Sequence, residues 1–105
     1  MGIRQDREYY VYILCNQKNG ALYTGMTNDL GVRVLEHKEK KAPKSYTAQK
    51  NISRLVYFEA FDTPGEAIDR EKFIKKKTRA YRVKLIEGQN PDWSELYYRL
   101  GELLY

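Results

Sequence analysis

The chain has 105 residues, 31% of them charged, and a formal net charge of +5. That length fits one domain, expected over residues 1–105 with a core at about 9–97 and a C-terminal helical extension. No apolar run approaches the ~20 residues that span a bilayer, no secretory h-region precedes the first strand, and Cys15 stands alone. Those absences exclude a membrane span, an internal disulfide and a cysteine-built zinc site, and predict a soluble, cytoplasmic protein.

The positive charge suits a polyanionic partner, because lysines and arginines near phosphates release condensed counterions. The ten tyrosines are unusual for this length. Tyrosine packs as a hydrophobe, hydrogen-bonds through its hydroxyl and stacks on bases.

In chain order, residues 9–15 (YYVYILC) are β-branched, aromatic and almost unbroken, which predicts a well-buried strand. Turn signals follow from Asn16 to Gly20, and residues 21–25 (ALYTG) read as the returning strand. A turn centred on Asn19-Gly20 or on Gln17-Lys18 puts Tyr12 and Tyr23 on one face in either case. Asn28 or Asp29 caps a helix over about residues 29–40, with Leu30 and Val34 inward and Arg33 and His37 one turn apart beside them. Residues 41–53 form a basic, polar loop, and residues 54–61 (RLVYFEAF) a third strand. Thr63 caps the next helix, with Pro64 first and Glu66 in a capping box, running to about Lys77. A third helix covers about residues 79–87 and stops at Gly88. Asn90 then Pro91 repeat the cap-then-proline start, for a last helix with Trp93, Leu96, Tyr97, Leu100 and Leu104 on one stripe.

Ala67, Glu71 and Ile74 share the face of the second helix that meets the sheet. A carboxylate there must be paired, coordinated or costly. The plain alternative is a surface Glu71–Lys75 pair at i, i+4, worth a few tenths of a kcal/mol.

Tyr10-Val11-Tyr12, ten residues, then Tyr23-Thr24-Gly25 resembles the paired motif of the GIY-YIG nucleases. Tyr10 replaces the first glycine and Thr24 the second isoleucine. Arg33, His37, Glu71 and Asn90 follow in the family's order, and the run from Tyr9 to about Tyr97 is similar to small stand-alone members. Met26 stands where repair-type members carry a lysine.

The resemblance implies an α/β (α+β) fold with a small central three-stranded antiparallel sheet flanked by helices. It also implies a metal-dependent endonuclease that hydrolyses phosphodiester bonds, read as DNA of a structured or repair type, with one Mg²⁺ or Mn²⁺ held by Glu71. Tyr23 would activate or orient the water, Tyr12 position it, Arg33 stabilise phosphoryl charge, and His37 shuttle a proton or contact phosphate. Gly25 and Asn90 support the site, Asn90 with a sufficient structural job as a helix cap. Lys41, Lys44, Lys75, Lys76 and Arg79 are the expected nucleic-acid contacts. They read no bases, so a protein partner is a plausible source of specificity. Two other functions fit the fold: a binding module that cuts nothing, and an adaptor acting through its apolar C-terminal helix.

Overall fold

A computed structural model describes residues 8–104; the first seven residues and Tyr105 lie outside the described residues. The sheet is three-stranded and antiparallel, with β1 (Tyr9–Cys15) between β2 (Leu22–Thr27) and β3 (Arg54–Phe61). Its helices are α1 (Leu30–Lys38), α2 (Tyr46–Gln49), α3 (Pro64–Lys75), α4 (Arg79–Gln89) and α5 (Leu100–Leu104), the last entered through a 3₁₀ turn at Tyr97–Arg99.

β1 is buried on both faces, as its unbroken apolar run requires. Tyr10, Tyr12 and Leu14 pack with Leu30 and Val34 of α1, with Ile52, and with Leu96, Leu100 and Leu104. On the other face, Ile13 and Cys15 pack with Val56, Ile86 and Trp93, while Val11 meets Ala67 and Ile74 of α3. Burial pushes the Cys15 thiol up to about 11, which suits an unreactive core residue.

The hairpin register differs from both expectations. Gly20 N–H bonds Gln17 C=O at 2.9 Å, so the turn centres on Lys18-Asn19, and Tyr12 pairs with Gly25. Asn19, not Gly20, takes the left-handed conformation (φ 62°), which asparagine tolerates. Gly20 is needed for space: a Cβ there would lie 2.1 Å from Asn16 Oδ1, which accepts the Ala21 N–H. The shared face of Tyr12 and Tyr23 survives, since the parity of the pairing is unchanged.

The predicted caps form. Asp29 accepts from Val32 N–H and Thr63 from Glu66 N–H, and Pro64 opens α3. α3 is assigned to Lys75, with Lys76 as its C-cap, and α4 runs through Gly88 to Gln89. Two expectations fail. The basic stretch 41–53 is not all loop: Ser45 caps α2, whose Thr47 C=O binds Ile52 N–H at 2.8 Å. Nor does a helix start at Pro91. Asn90 is the C-cap of α4, and its side chain gathers the chain around it, donating to Val56 C=O and Ser94 C=O and accepting from Ser94 N–H. The expected apolar stripe is divided, Trp93 on one face of the sheet and Leu96, Leu100 and Leu104 on the other.

Segment 89–96 also closes the outer edge of β3. The Gln89 side chain bonds both Phe58 N–H and Phe58 C=O, Glu95 accepts from Leu55 N–H, and Leu96 N–H donates to Leu55 C=O. Lys38 is drawn into the same junction, bonding Ser53 C=O at 2.8 Å and pairing with Glu95.

Candidate active site

The site is built on β1, β2, α1 and α2. Tyr12 projects from β1 across Gly25, its pairing partner. A Cβ at Gly25 would sit 2.6 Å from the Tyr12 hydroxyl and 2.9 Å from the Tyr23 ring. Gly25 is therefore inside the strand as a space for Tyr12, rather than at its end. Tyr23, diagonal to Tyr12, brings its ring centroid within 6.3 Å of Tyr12 and 5.4 Å of His37.

Helix α1 supplies the other two groups. His37 Nε2 lies 3.2 Å from the Tyr12 hydroxyl, and its Nδ1 lies 3.0 Å from Thr47 Oγ1 on α2. Arg33, one turn earlier, lies against the same Tyr12 hydroxyl and pairs with Glu36 at 3.1 Å on the exposed side. Burial pushes the Tyr12 phenol up to about 12, with Tyr23 adding and Arg33 opposing, so Tyr12 carries its proton. Burial first, then the Arg33 charge, pushes His37 below its ordinary value, so the imidazole is neutral at pH 7. The Tyr12 hydroxyl beside Arg33 holds that guanidinium further up.

Tyr23, Arg33 and His37 line a cleft of about 140 Å³ with Lys40, Lys41 and Tyr46, while Tyr12 is almost fully buried and meets the site through His37 Nε2. The sequence reading missed Thr47 and the cleft wall formed by α2, for one reason: a four-residue helix leaves no periodicity to detect.

Glu71 projects from α3, which packs on the opposite face against β1 and β2. It is half-buried between the inward Ala67 and Ile74, and its charge reaches Tyr12, where it raises the phenol slightly. Its direct partner is Lys75, at 3.2 Å. The inward position and the i, i+4 pair thus coexist. No three His, Cys, Asp or Glu side chains cluster among the described residues. One carboxylate suits a hard ion that keeps its waters and leans on a substrate phosphate, and does not suit zinc.

The other expected residues spread out. Lys41 lines the cleft, while Lys44 is exposed on the segment before α2. Lys75 is spent partly on Glu71; Lys76 caps α3 and Arg79 starts α4, both exposed. Asn90 sits at the β3 edge, whereas Tyr12 reaches toward β2 at the other edge of the sheet. Met26 packs with Val11, Ala67 and Ile74.

The profile of the GIY-YIG catalytic domain matches residues 8–85. A UPF0213 protein of Clostridium perfringens is 43% identical over 81 residues, covering 77% of this chain and 85% of the relative. One from Staphylococcus epidermidis is 41% identical over 81 residues, covering 76% and 95%. The solution NMR structure of the UPF0213 protein of Bacillus halodurans superposes with a TM-score of 0.52 at 32% identity, covering 83% of this chain and 90% of that one. Motif, topology and relatives agree: the chain belongs to the GIY-YIG family, among its small stand-alone UPF0213 members.

Proposed function

We propose that this protein is a GIY-YIG endonuclease that hydrolyses phosphodiester bonds in nucleic acid with one divalent cation. The observation that carries the reading is a cleft lined by Tyr23, Arg33 and His37, whose His37 Nε2 meets the buried Tyr12 hydroxyl at 3.2 Å. A structural domain has no use for that combination.

Glu71 would hold Mg²⁺ or Mn²⁺, and the bound ion would supply Lewis-acid activation of the scissile phosphate and neutralise charge on the leaving oxygen. Arg33 forks onto the non-bridging oxygens, where charge grows in the transition state. Tyr23 orients the attacking water from the cleft wall. Tyr12 fixes that water or the phosphate, and His37 accepts a proton through Nε2. Lys41 and Lys44 on one side, and Lys75, Lys76 and Arg79 on the other, hold the phosphate backbone. Because none of them reads a base edge, specificity comes from substrate shape or a protein partner, and we read the substrate as structured, repair-type DNA. Residues 1–105 act as one domain.

The 3.2 Å Glu71–Lys75 pair favours a second reading, a binding module that cuts nothing. Incubating the protein with labelled single-stranded, duplex and branched DNA and RNA, with Mg²⁺, Mn²⁺ or chelator, separates the two. Cation-dependent cleavage of at least one substrate is expected. Salt-sensitive binding without cleavage on any of them would leave the binding module.

A further inference from the structure

Thr47 is 6% exposed, yet its hydroxyl faces the site rather than the core. Its backbone is anchored by the bond from Thr47 C=O to Ile52 N–H, so the side chain is held in place. Its Oγ1 lies 3.0 Å from His37 Nδ1 and 3.3 Å from Ser45 Oγ, and Ser45 Oγ accepts the Ala48 N–H. On the other side of the imidazole, Nε2 faces the Tyr12 hydroxyl at 3.2 Å. A neutral imidazole has one N–H, and the partner at each nitrogen decides which one carries it.

Tyr12 is 1% exposed, and Nε2 is the hydrogen-bond partner of its hydroxyl among the described residues. Were Nε2 protonated, the buried phenol O–H would lose its acceptor. In the opposite arrangement Tyr12 O–H donates to Nε2, Nδ1–H to Thr47 Oγ1, and Thr47 O–H to Ser45 Oγ. We propose that Thr47 is a positioning residue of this site: its hydroxyl accepts the His37 Nδ1–H and so keeps Nε2 unprotonated and aimed at Tyr12.

This deepens the nuclease reading and rests on it only for the chemical consequence. When a proton leaves the attacking water for the Tyr12 oxygen, the Tyr12 proton passes to His37 Nε2. The imidazolium then formed still donates Nδ1–H to Thr47. Without Thr47 the ring adopts the other tautomer and cannot take that proton.

His37 is the only histidine, so its ring nitrogens are read unambiguously by long-range ¹H–¹⁵N spectra of the intact protein near pH 7.5. The expected wild-type pattern is protonated Nδ1 with bare Nε2. Thr47→Val, which keeps the shape and removes the hydroxyl, should move the population toward Nε2–H, and Thr47→Ser should restore it. An Nε2–H wild-type protein overturns the proposal without any variant, as does a valine variant with an unchanged tautomer. On a cleaved substrate, Thr47→Val should lower kcat about tenfold at unchanged KM, with serine rescuing it; equal kcat values overturn the positioning role. A protein that cuts nothing defeats the nuclease reading instead, while the spectra still decide the tautomer.

Discussion

The two faces of the sheet each carry a buried tyrosine set against charged side chains, and they use them differently. Tyr57 donates to Glu59, whose carboxylate accepts from Arg70 Nε at 3.0 and 3.1 Å and pairs with Nη2 at 2.9 Å. Burial and Glu59 push the Tyr57 phenol far up, and Glu59 raises Arg70 in turn. Cation, anion and hydroxyl complete one another there. Around Tyr12 the acceptor is a neutral imidazole, and the Arg33 counter-charge is Glu36 on the exposed flank. The residue types are nearly the same. One cluster carries its compensating carboxylate inside and is finished; the other keeps its cation where an incoming anion can meet it.

If that contrast is right, the largest loss of activity comes from a residue outside both tyrosine clusters. Glu71→Gln should reduce cleavage by on the order of 10³-fold or more while leaving fold and most nucleic-acid affinity intact. Lys75→Ala should change stability by only a few tenths of a kcal/mol and leave cleavage in place. A Glu71→Gln protein cutting at the wild-type rate with the same cation requirement removes the residue from the mechanism.

Arg33→Ala should lower kcat about 10²–10³-fold, yet cost less than ~1 kcal/mol of stability, because its pair with Glu36 is solvated. Arg70→Ala reverses the pattern. It leaves Glu59 and Tyr57 uncompensated and should destabilise by about 1–3 kcal/mol in denaturant titration, with turnover per folded molecule unchanged. Turnover falling in step with stability would show that the two faces are not independent.

Acidification acts on the open cluster. The His37 pKa lies below its ordinary 6.5, so the unfolded chain binds the proton more readily. His37's contribution to stability is complete above that value and declines as pH falls through the window below it. Turnover should fall over the lower part of the same window, and His37→Gln should flatten the acid limb of the rate profile. A limb unchanged in that variant assigns it to another group.

The smallest effect lies beneath β2. Thr24 is 3% exposed and its hydroxyl has no partner among the described residues. Thr24→Val should raise stability by about 1 kcal/mol, measured by thermal melting, with activity unchanged. A loss of stability would mean the hydroxyl is satisfied after all.

The strands, the α1 and α3 caps and the inward lean of Glu71 were legible because each rests on local chemistry or on a period. Most of what escaped depended on contacts distant in sequence. The hairpin turn is the exception: Asn19 itself takes the left-handed position, so the turn centres on Lys18-Asn19 rather than on the Asn19-Gly20 pair. Asn90-Pro91 carries a helix-start signature, but three backbone partners hold Asn90 in a different role. Thr47 bears no signal at all: a threonine in a polar stretch becomes a histidine's partner only once α1 and α2 meet. The nuclease resemblance named Tyr12, Tyr23, Arg33 and Glu71, while the cleft that Tyr23 and Arg33 line, with Tyr12 buried beside it and Glu71 on the other face of the sheet, was visible only in three dimensions.

The Gln89 amide, paired with both backbone groups of Phe58, does at β3 what a fourth strand would do. With Glu95, Leu96 and Asn90 it leaves that border little to offer a foreign peptide. Growth of the sheet, whether by strand exchange between copies or by capture of an extended segment, is therefore steered to β2. A chain added there would run alongside Tyr23 and Gly25, so self-association by this route and access to the cleft compete for the same border of the molecule.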